Sequence, residues 1–299
     1  MLQLGNVPKT PRLELVAEAL QRLADAGADV SRVGVEIREE AIALVRDRHK
    51  LMVLPASLPP SVGVIVAELI TFLLPLQDTV VQRIAQALSD TAPLRLDPLV
   101  DVGTMDSTIA IETRYATRHN VTQRALYPSP MRHRCFVRRS VAGALHRVQT
   151  VLRREGYGLK LWDGYRPHAI QRQCADPRVI PDAAIRQLFA PPSRGSNHAR
   201  GCAVDVTLVD LKNGQACMMP TEFDSASPAA GSHATKGLAR EQIENRQRLQ
   251  AAMTQADFFT IPTEWWHFNY RTDHQQDKSR NVGDLYLVLD VPFDALLSM

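Results

Sequence analysis

The stretch SNHARGCAVD, residues 196–205, decides how the rest of the chain is interpreted. It places His198 and Asp205 seven positions apart, on either side of a glycine. Imidazole nitrogens and carboxylate oxygens are both good ligands for zinc, so the stretch predicts two ligands of a metal site. Residues 202–208 alternate as a strand does, which puts Asp205 on a small, polar face and Val204 and Val206 on the opposite, apolar face.

A second stretch, TEWWHF at residues 263–268, offers the third ligand. His267 supplies another imidazole, and Glu264 supplies a carboxylate three positions earlier. Three ligands, an open position for water and a free base are what a zinc hydrolase needs. Positions i and i+3 of a regular strand face opposite ways, so we expect a turn at Pro262, before the strand, to bring Glu264 towards the metal.

The elements around these stretches predict an α+β domain over residues 106–299, with a small antiparallel sheet and flanking helices. Apolar residues at helical spacing predict a helix over 141–155, ended by Gly156, and another over 241–254. Residues 158–163 are typical of a strand, which leads into the turn Gly164–Pro167. Arg166 stands just before the proline, so its backbone direction is restricted. By itself it is also compatible with a surface salt bridge.

The combined motifs resemble those of a known family, the zinc-dependent D-alanyl-D-alanine dipeptidases of the vancomycin-resistance type. That family carries Ser-x-His-x-x-Gly-x-Ala-x-Asp, then Glu-Trp-Trp-His, with Trp-Asp-Gly-Tyr-Arg-Pro upstream. All three motifs are present, at residues 196–205, 264–267 and 162–167. The resemblance covers roughly residues 106–292, and three motifs in this order are highly specific.

The resemblance implies roles for individual residues. His198, Asp205 and His267 would bind one zinc ion, Glu264 would act as general base and acid, and Arg166 would stabilise the transition state. Three further residues would contact the substrate: Tyr115, Ser196 and Asp224, the last through the substrate's amino group.

The function implied is hydrolysis of the D-alanyl-D-alanine dipeptide to two D-alanines, a step of cell-wall peptidoglycan metabolism. Two alternatives stay open. The segment between Arg166 and Ser196 looks shorter than is typical of the family, which is compatible with a D,D-carboxypeptidase or an L-Ala-D-Glu peptidase acting on larger wall peptides. A non-catalytic zinc-binding module is also conceivable, although such a module needs neither Glu264 nor Arg166.

Residues 1–105 are expected to form a mostly helical extension of unknown role, with helices near residues 13–23, 37–48, 62–76 and 78–88. The net charge of +3 is too small to indicate a nucleic-acid partner. No signal peptide or membrane span is recognised, so we expect a cytoplasmic protein without a membrane partner; a periplasmic location and a homo-oligomer stay open. The four cysteines form no close-spaced pair and are expected to be free thiols.

Overall fold

The computed structural model describes residues 18–24, 33–38, 41–46, 49–55, 97–271, 286 and 288–297. The chain divides into two compact units, Leu99–Val282 on the one hand and Met1–Pro98 with Gly283–Met299 on the other. The predicted division into residues 1–105 and 106–299 differs from this one at both ends: residues 283–299 belong to the smaller unit, and the N-terminal boundary lies after residue 98 instead of 105. The reason at the N-terminal boundary is that Leu99–Asp101 pairs with Phe136–Arg138, which places the strand in the larger unit.

Twelve strands lie in the described ranges. They are β1 (Val33–Arg38), β2 (Ala41–Arg46), β3 (His49–Pro55), β4 (Leu99–Asp101), β5 (Ala110–Ile111), β6 (Phe136–Arg138), β7 (Tyr157–Asp163), β8 (Ala203–Asp210), β9 (Gln215–Ala216), β10 (Phe258–Ile261), β11 (Glu264–Tyr270) and β12 (Val288–Leu289). The larger unit also contains helices at Val102–Met105, Arg139–Arg154, His168–Cys174, Ala183–Arg186 and Arg240–Gln255, and the described part of the smaller unit contains helical residues 18–24 and a helix at Phe293–Leu297.

The main sheet of the larger unit has the strand order β10-β11-β8-β7-β5, with β9 paired to β8. All pairs are antiparallel except β5 with β7. The predicted α+β class with a small, mostly antiparallel sheet is therefore confirmed. The centre of the sheet is β8, which contacts β7 on one side and β11 on the other, so side chains from these three strands can meet on one face.

The two long helices and the sheet share one hydrophobic core. Leu145 and Leu152 of the helix Arg139–Arg154 and Leu249 of the helix Arg240–Gln255 are fully buried with the apolar side of β8. That side consists of Val204, Val206 and Leu208, whereas the intervening Ala203, Asp205 and Thr207 stand apart from this core cluster. The parity predicted for the strand is confirmed, and Asp205 faces away from the core.

The mostly helical character predicted for the N-terminal region is confirmed at residues 18–24, within the helix predicted near 13–23, and is wrong for the described residues between 33 and 55. Residues 18–24 are helical, but the helix predicted over 37–48 is replaced by strands β1 and β2 in an antiparallel pair. Val33, Val35 and Ile37 alternate with other residues at a period of two, which favours a strand and was a usable signal. The C-terminal β12 completes this sheet by pairing with β3, a long-range contact that no local pattern reveals.

Two further N-terminal predictions, the helices near 62–76 and 78–88, lie outside the described residues. In the part of the chain that the structure does describe, no helix is long and apolar enough to cross a membrane. All four cysteines are free, as predicted.

Candidate metal centre and catalytic pocket

Three neighbouring strands place three polar side chains in one row. Asp205 of β8 pairs in register with His267 of β11 on one side and with Asp163 of β7 on the other. The residue predicted to complete the metal site, His198, comes from the loop that leads into β8. The backbone carbonyl of Asn197 holds this loop by accepting from the amides of Arg200 and Cys202.

The three predicted metal ligands lie together. His198 Nε2 is 3.1 Å from His267 Nδ1 and 3.4 Å from Asp205 Oδ1, and His267 Nδ1 is 3.1 Å from the same carboxylate oxygen. Ligand atoms around a tetrahedral zinc with bonds of about 2.0–2.1 Å stand about 3.3 Å apart. Within the described ranges, this is the group of His, Cys, Asp and Glu side chains whose geometry can hold a metal ion.

The outer nitrogens of the two imidazoles support that interpretation. His198 Nδ1 lies 2.8 Å from the carbonyl oxygen of Gly164, and His267 Nε2 lies 3.1 Å from Asn269 Oδ1. Both partners are acceptors, so each imidazole donates its N–H outwards and turns a lone pair towards the other ring. Two lone pairs facing each other beside a carboxylate suit a cation, and this outward bonding is typical of metal-binding histidines.

Glu264 stands at the first position of β11, directly after a turn at residues 262–263, so the turn predicted at Pro262 is confirmed. The cavity is lined by Glu264 and His267 together, and the pairing of β10 with β11 shifts register between Thr260 and Ile261. Such an irregularity re-aims side chains along a strand. Burial raises the pKa of Glu264 to about 7, helped by the charge of Asp205 and opposed by His267 and Arg166.

Arg166 is held rigidly beside the three ligands. Its Nε and Nη2 donate to Asp163 Oδ2 at 3.0 and 2.7 Å, and its Nη1 donates to Gln171 Oε1 at 3.0 Å. Nη2 lies 3.7 Å from Asp205 Oδ2. Burial lowers the pKa of this guanidinium, but Asp163 together with Tyr115, Tyr127 and Cys174 raises it well above its usual value, so the group stays charged. The surface salt bridge considered for Arg166 is therefore replaced by a buried one.

Asp163 was overlooked as a functional residue, although it lies inside the motif Trp162–Pro167. It is fully buried and accepts hydrogen bonds from Arg166 and from the hydroxyl of Tyr127, at 2.9 Å to its Oδ1. Burial raises its pKa, against the opposing charges of Arg166 and His198. A carboxylate three residues before an arginine was the available signal, but only the fold shows that both side chains are buried.

The three predicted substrate contacts occupy different places. Ser196 and Asp224 line the cavity, whereas Tyr115 is fully buried behind it. Tyr115 donates its hydroxyl to Asp224 Oδ2 at 2.8 Å, and its ring lies 5.0 Å from the guanidinium carbon of Arg166. In this structure Tyr115 positions two pocket residues, and Ser196 accepts at Oγ from the His198 amide at 3.1 Å.

Asp224 has two unusual properties. Its φ of 60° lies in the left-handed region, which aspartate tolerates better than most residues. Burial raises its pKa to about 8, with a further contribution from the charge of Asp205. A positively charged group that binds beside Asp224 would lower this pKa again and favour the ionised carboxylate, so the position suits a cationic part of a substrate.

The cavity formed by these residues has a volume of about 320 Å³. That volume lies at the small end of ligand pockets, which favours a small substrate. One wall is made by residues 187–190, which follow the short helix Ala183–Arg186. Gln171 ties this wall to Arg166, because its Nε2 donates to the carbonyl of Ala190 at 2.9 Å while its Oε1 accepts from Arg166.

The sequence matches a known family over most of the larger unit. A family model described as D-ala-D-ala dipeptidase (Peptidase_M15) covers residues 96–284. A protein named D-alanyl-D-alanine dipeptidase from Escherichia coli (strain K12) is 31% identical over 185 residues, which are 60% of this chain and 86% of the relative. Proteins of the same name from Enterococcus faecium and Streptomyces coelicolor are each 29% identical, over 54% and 57% of this chain and 86% and 90% of their own lengths.

Proposed function

The chain belongs to the D-Ala-D-Ala dipeptidase family and is a peptidase, and we propose that it hydrolyses D-alanyl-D-alanine with one zinc ion held by His198, Asp205 and His267. The observation that carries the proposal is the convergence of these three side chains beside the buried Glu264 and Arg166. A zinc ion with three protein ligands acidifies a water molecule at its open position and polarises a carbonyl group.

Glu264 is the proton carrier of the proposed reaction. As the water oxygen bonds to the peptide carbonyl carbon, Glu264 accepts one proton from the water. It returns this proton to the amine nitrogen as the C–N bond breaks, so the charges balance over the cycle.

Arg166 stabilises the negative charge that develops on the carbonyl oxygen. A fixed guanidinium in a site shielded from water stabilises such charge more strongly than a mobile one does. The bonds from Arg166 to Asp163 and Gln171 supply that rigidity. A site that only holds a metal ion needs no buried cation beside its ligands, whereas a catalytic site can use one to stabilise developing negative charge. The position of Arg166 therefore argues against a non-catalytic zinc-binding module.

Asp224 is proposed to bind the free amino group of the dipeptide. Replacement by asparagine keeps an acceptor for the Tyr115 hydroxyl and removes the negative charge. We expect kcat/KM for D-Ala-D-Ala to fall by about 10–100-fold, since a hydrogen bond to a charged group contributes about 1.5–3 kcal/mol. The N-acetylated dipeptide is the matched control substrate: its hydrolysis should be affected far less. An equal loss for both substrates would contradict this role.

The same substitution, Asp224→Asn, is expected to stabilise the metal-free protein in a pH-dependent way. Between about pH 4 and pH 8 the folded protein retains a proton on Asp224 that the unfolded chain has released, so the free energy of unfolding falls as pH rises. Asparagine does not titrate, so the advantage of the variant should grow with pH by at most about 1.4 kcal/mol per unit. Urea unfolding at pH 5 and pH 7.5 measures it, and a constant difference would contradict the buried, protonated Asp224.

The substrate class is tested with three peptides: D-Ala-D-Ala, a wall pentapeptide ending in D-Ala-D-Ala, and an L-Ala-D-Glu peptide. We expect rapid hydrolysis of the dipeptide alone, because the cavity of about 320 Å³ is small. Cleavage of the pentapeptide or the L-Ala-D-Glu peptide with the dipeptide intact would replace the proposal by one of the two wall-peptide activities.

A further inference from the structure

Two asparagines, the buried Asn269 and the partly exposed Asn197, stand behind His267, on the side away from the other metal ligands. Asn269 lies two positions further along β11, and its Oδ1 is 3.1 Å from His267 Nε2. Asn197 comes from the loop before β8 and donates through Nδ2 to the same oxygen at 2.8 Å. The Asn269 oxygen therefore accepts from both neighbours.

The two backbones that carry these amides are fixed. Asn269 is opposite Ala203 in the pairing of β11 with β8. The Asn197 carbonyl accepts from the amides of Arg200 and Cys202, which closes the loop between His198 and β8. Neither side chain is a proposed metal ligand or proton carrier, and the proposed reaction gives Asn197 no role.

The two histidine ligands differ in what orients them. His198 donates to the backbone carbonyl of Gly164, and a backbone carbonyl can only accept a hydrogen bond. The side-chain amide of Asn269 can rotate by half a turn, which would present its NH2 group to His267 instead. His267 would then carry its proton on Nδ1, the atom that faces Asp205, and would be lost as a metal ligand.

We propose that Asn197 and Asn269 form a two-residue relay that positions His267 as a metal ligand. Asn197 holds the oxygen of Asn269 towards His267, and this oxygen keeps the proton on Nε2, so that Nδ1 presents its lone pair to the metal. The relay rests on the zinc site of the proposed function and adds two positioning residues to it.

The test is the dissociation constant for zinc, measured by competition with a chromophoric chelator, so that no turnover is needed. Asn269→Ala should weaken zinc binding by about 10–100-fold, the usual effect of removing such an outer partner. Asn269→Asp keeps an acceptor at the same place and should bind zinc at least as tightly as the unmodified protein. The matched control is Asn245→Ala, which removes another buried asparagine, bonded to the Met218 carbonyl and remote from the cavity.

Substitutions at Asn197 distinguish the orientation of the Asn269 amide from the effect of an added charge near the zinc. Asn197→Asp adds a negative charge near the zinc, which by itself would tighten binding. In the relay, an acceptor at this position repels the Asn269 oxygen and favours the rotated amide. We therefore expect Asn197→Asp to bind zinc more weakly than Asn197→Ala, and the reverse order would overturn the proposal.

The outcomes distinguish the relay from the proposed function. If the unmodified protein fails to bind zinc, the metal site itself is refuted. If it binds zinc and Asn269→Ala binds equally tightly, only the relay is refuted. Thermal unfolding of the metal-free variants checks that each one folds. If an alanine variant does not fold, Asn197→Asp and Asn269→Asp are compared instead: the first should weaken zinc binding, and the second should not.

Discussion

Replacement of Glu264 by glutamine is expected to lower kcat for D-Ala-D-Ala by about 10²–10⁴-fold while zinc stays bound. Glutamine has nearly the same shape but cannot take the water's proton or return it to the leaving amine. Among the described residues, the other carboxyl groups that line the cavity are Asp205, a proposed metal ligand, and Asp224, which is proposed to bind the substrate's amino group. Steady-state kinetics with measured zinc content provide the result.

The matched control for this substitution is Glu222→Gln. Glu222 is exposed and lies outside the residues that line the cavity. Its replacement should leave kcat unchanged. Full activity in the Glu264→Gln variant would mean that another group carries the proton and would remove the central residue of the proposed mechanism.

Replacement of Arg166 by methionine should have two large effects. The rate should fall by about 10²–10³-fold, because a fixed donor to the developing negative oxygen is lost. The free energy of unfolding should also fall by about 3–5 kcal/mol, because Asp163 is left buried without its cation. Kinetics and urea unfolding measure the two effects separately.

The double variant Arg166→Met with Asp163→Asn separates these effects. Asparagine at position 163 carries no charge and can still accept from the Tyr127 hydroxyl. We expect the double variant to regain most of the stability and none of the activity. Recovery of activity would show that Arg166 acts only by neutralising Asp163.

The proposed metal ligands could be predicted because their signal is local. Asp205 and His267 stand in short motifs with metal-ligand residue types, and strand parity showed which face of β8 Asp205 occupies. The structure brings together the three expected ligands and Glu264. The turn at Pro262 was also predictable, whereas the register shift between β10 and β11 depends on a partner strand and leaves little trace in a single sequence.

The supporting residues could not be predicted because their partners are distant in sequence. Asn197 and Asn269 meet across 72 positions, and Tyr127 meets Asp163 across 36. A lone asparagine or tyrosine has many ordinary roles, and only the fold shows which two share an acceptor. The N-terminal strands were missed for a related reason: residues 37–48 contain apolar residues at both helical and strand spacing, and pairing decides between them.

The most direct test of the account is release of D-alanine from D-Ala-D-Ala by the purified protein before chelation, after chelation, and after zinc is restored. We predict that chelation abolishes release and that about one zinc per chain restores it, since His198, Asp205 and His267 form one site. Undiminished release from demonstrably metal-free protein would contradict the zinc mechanism, and zinc-loaded protein that leaves the dipeptide intact would contradict the assigned substrate.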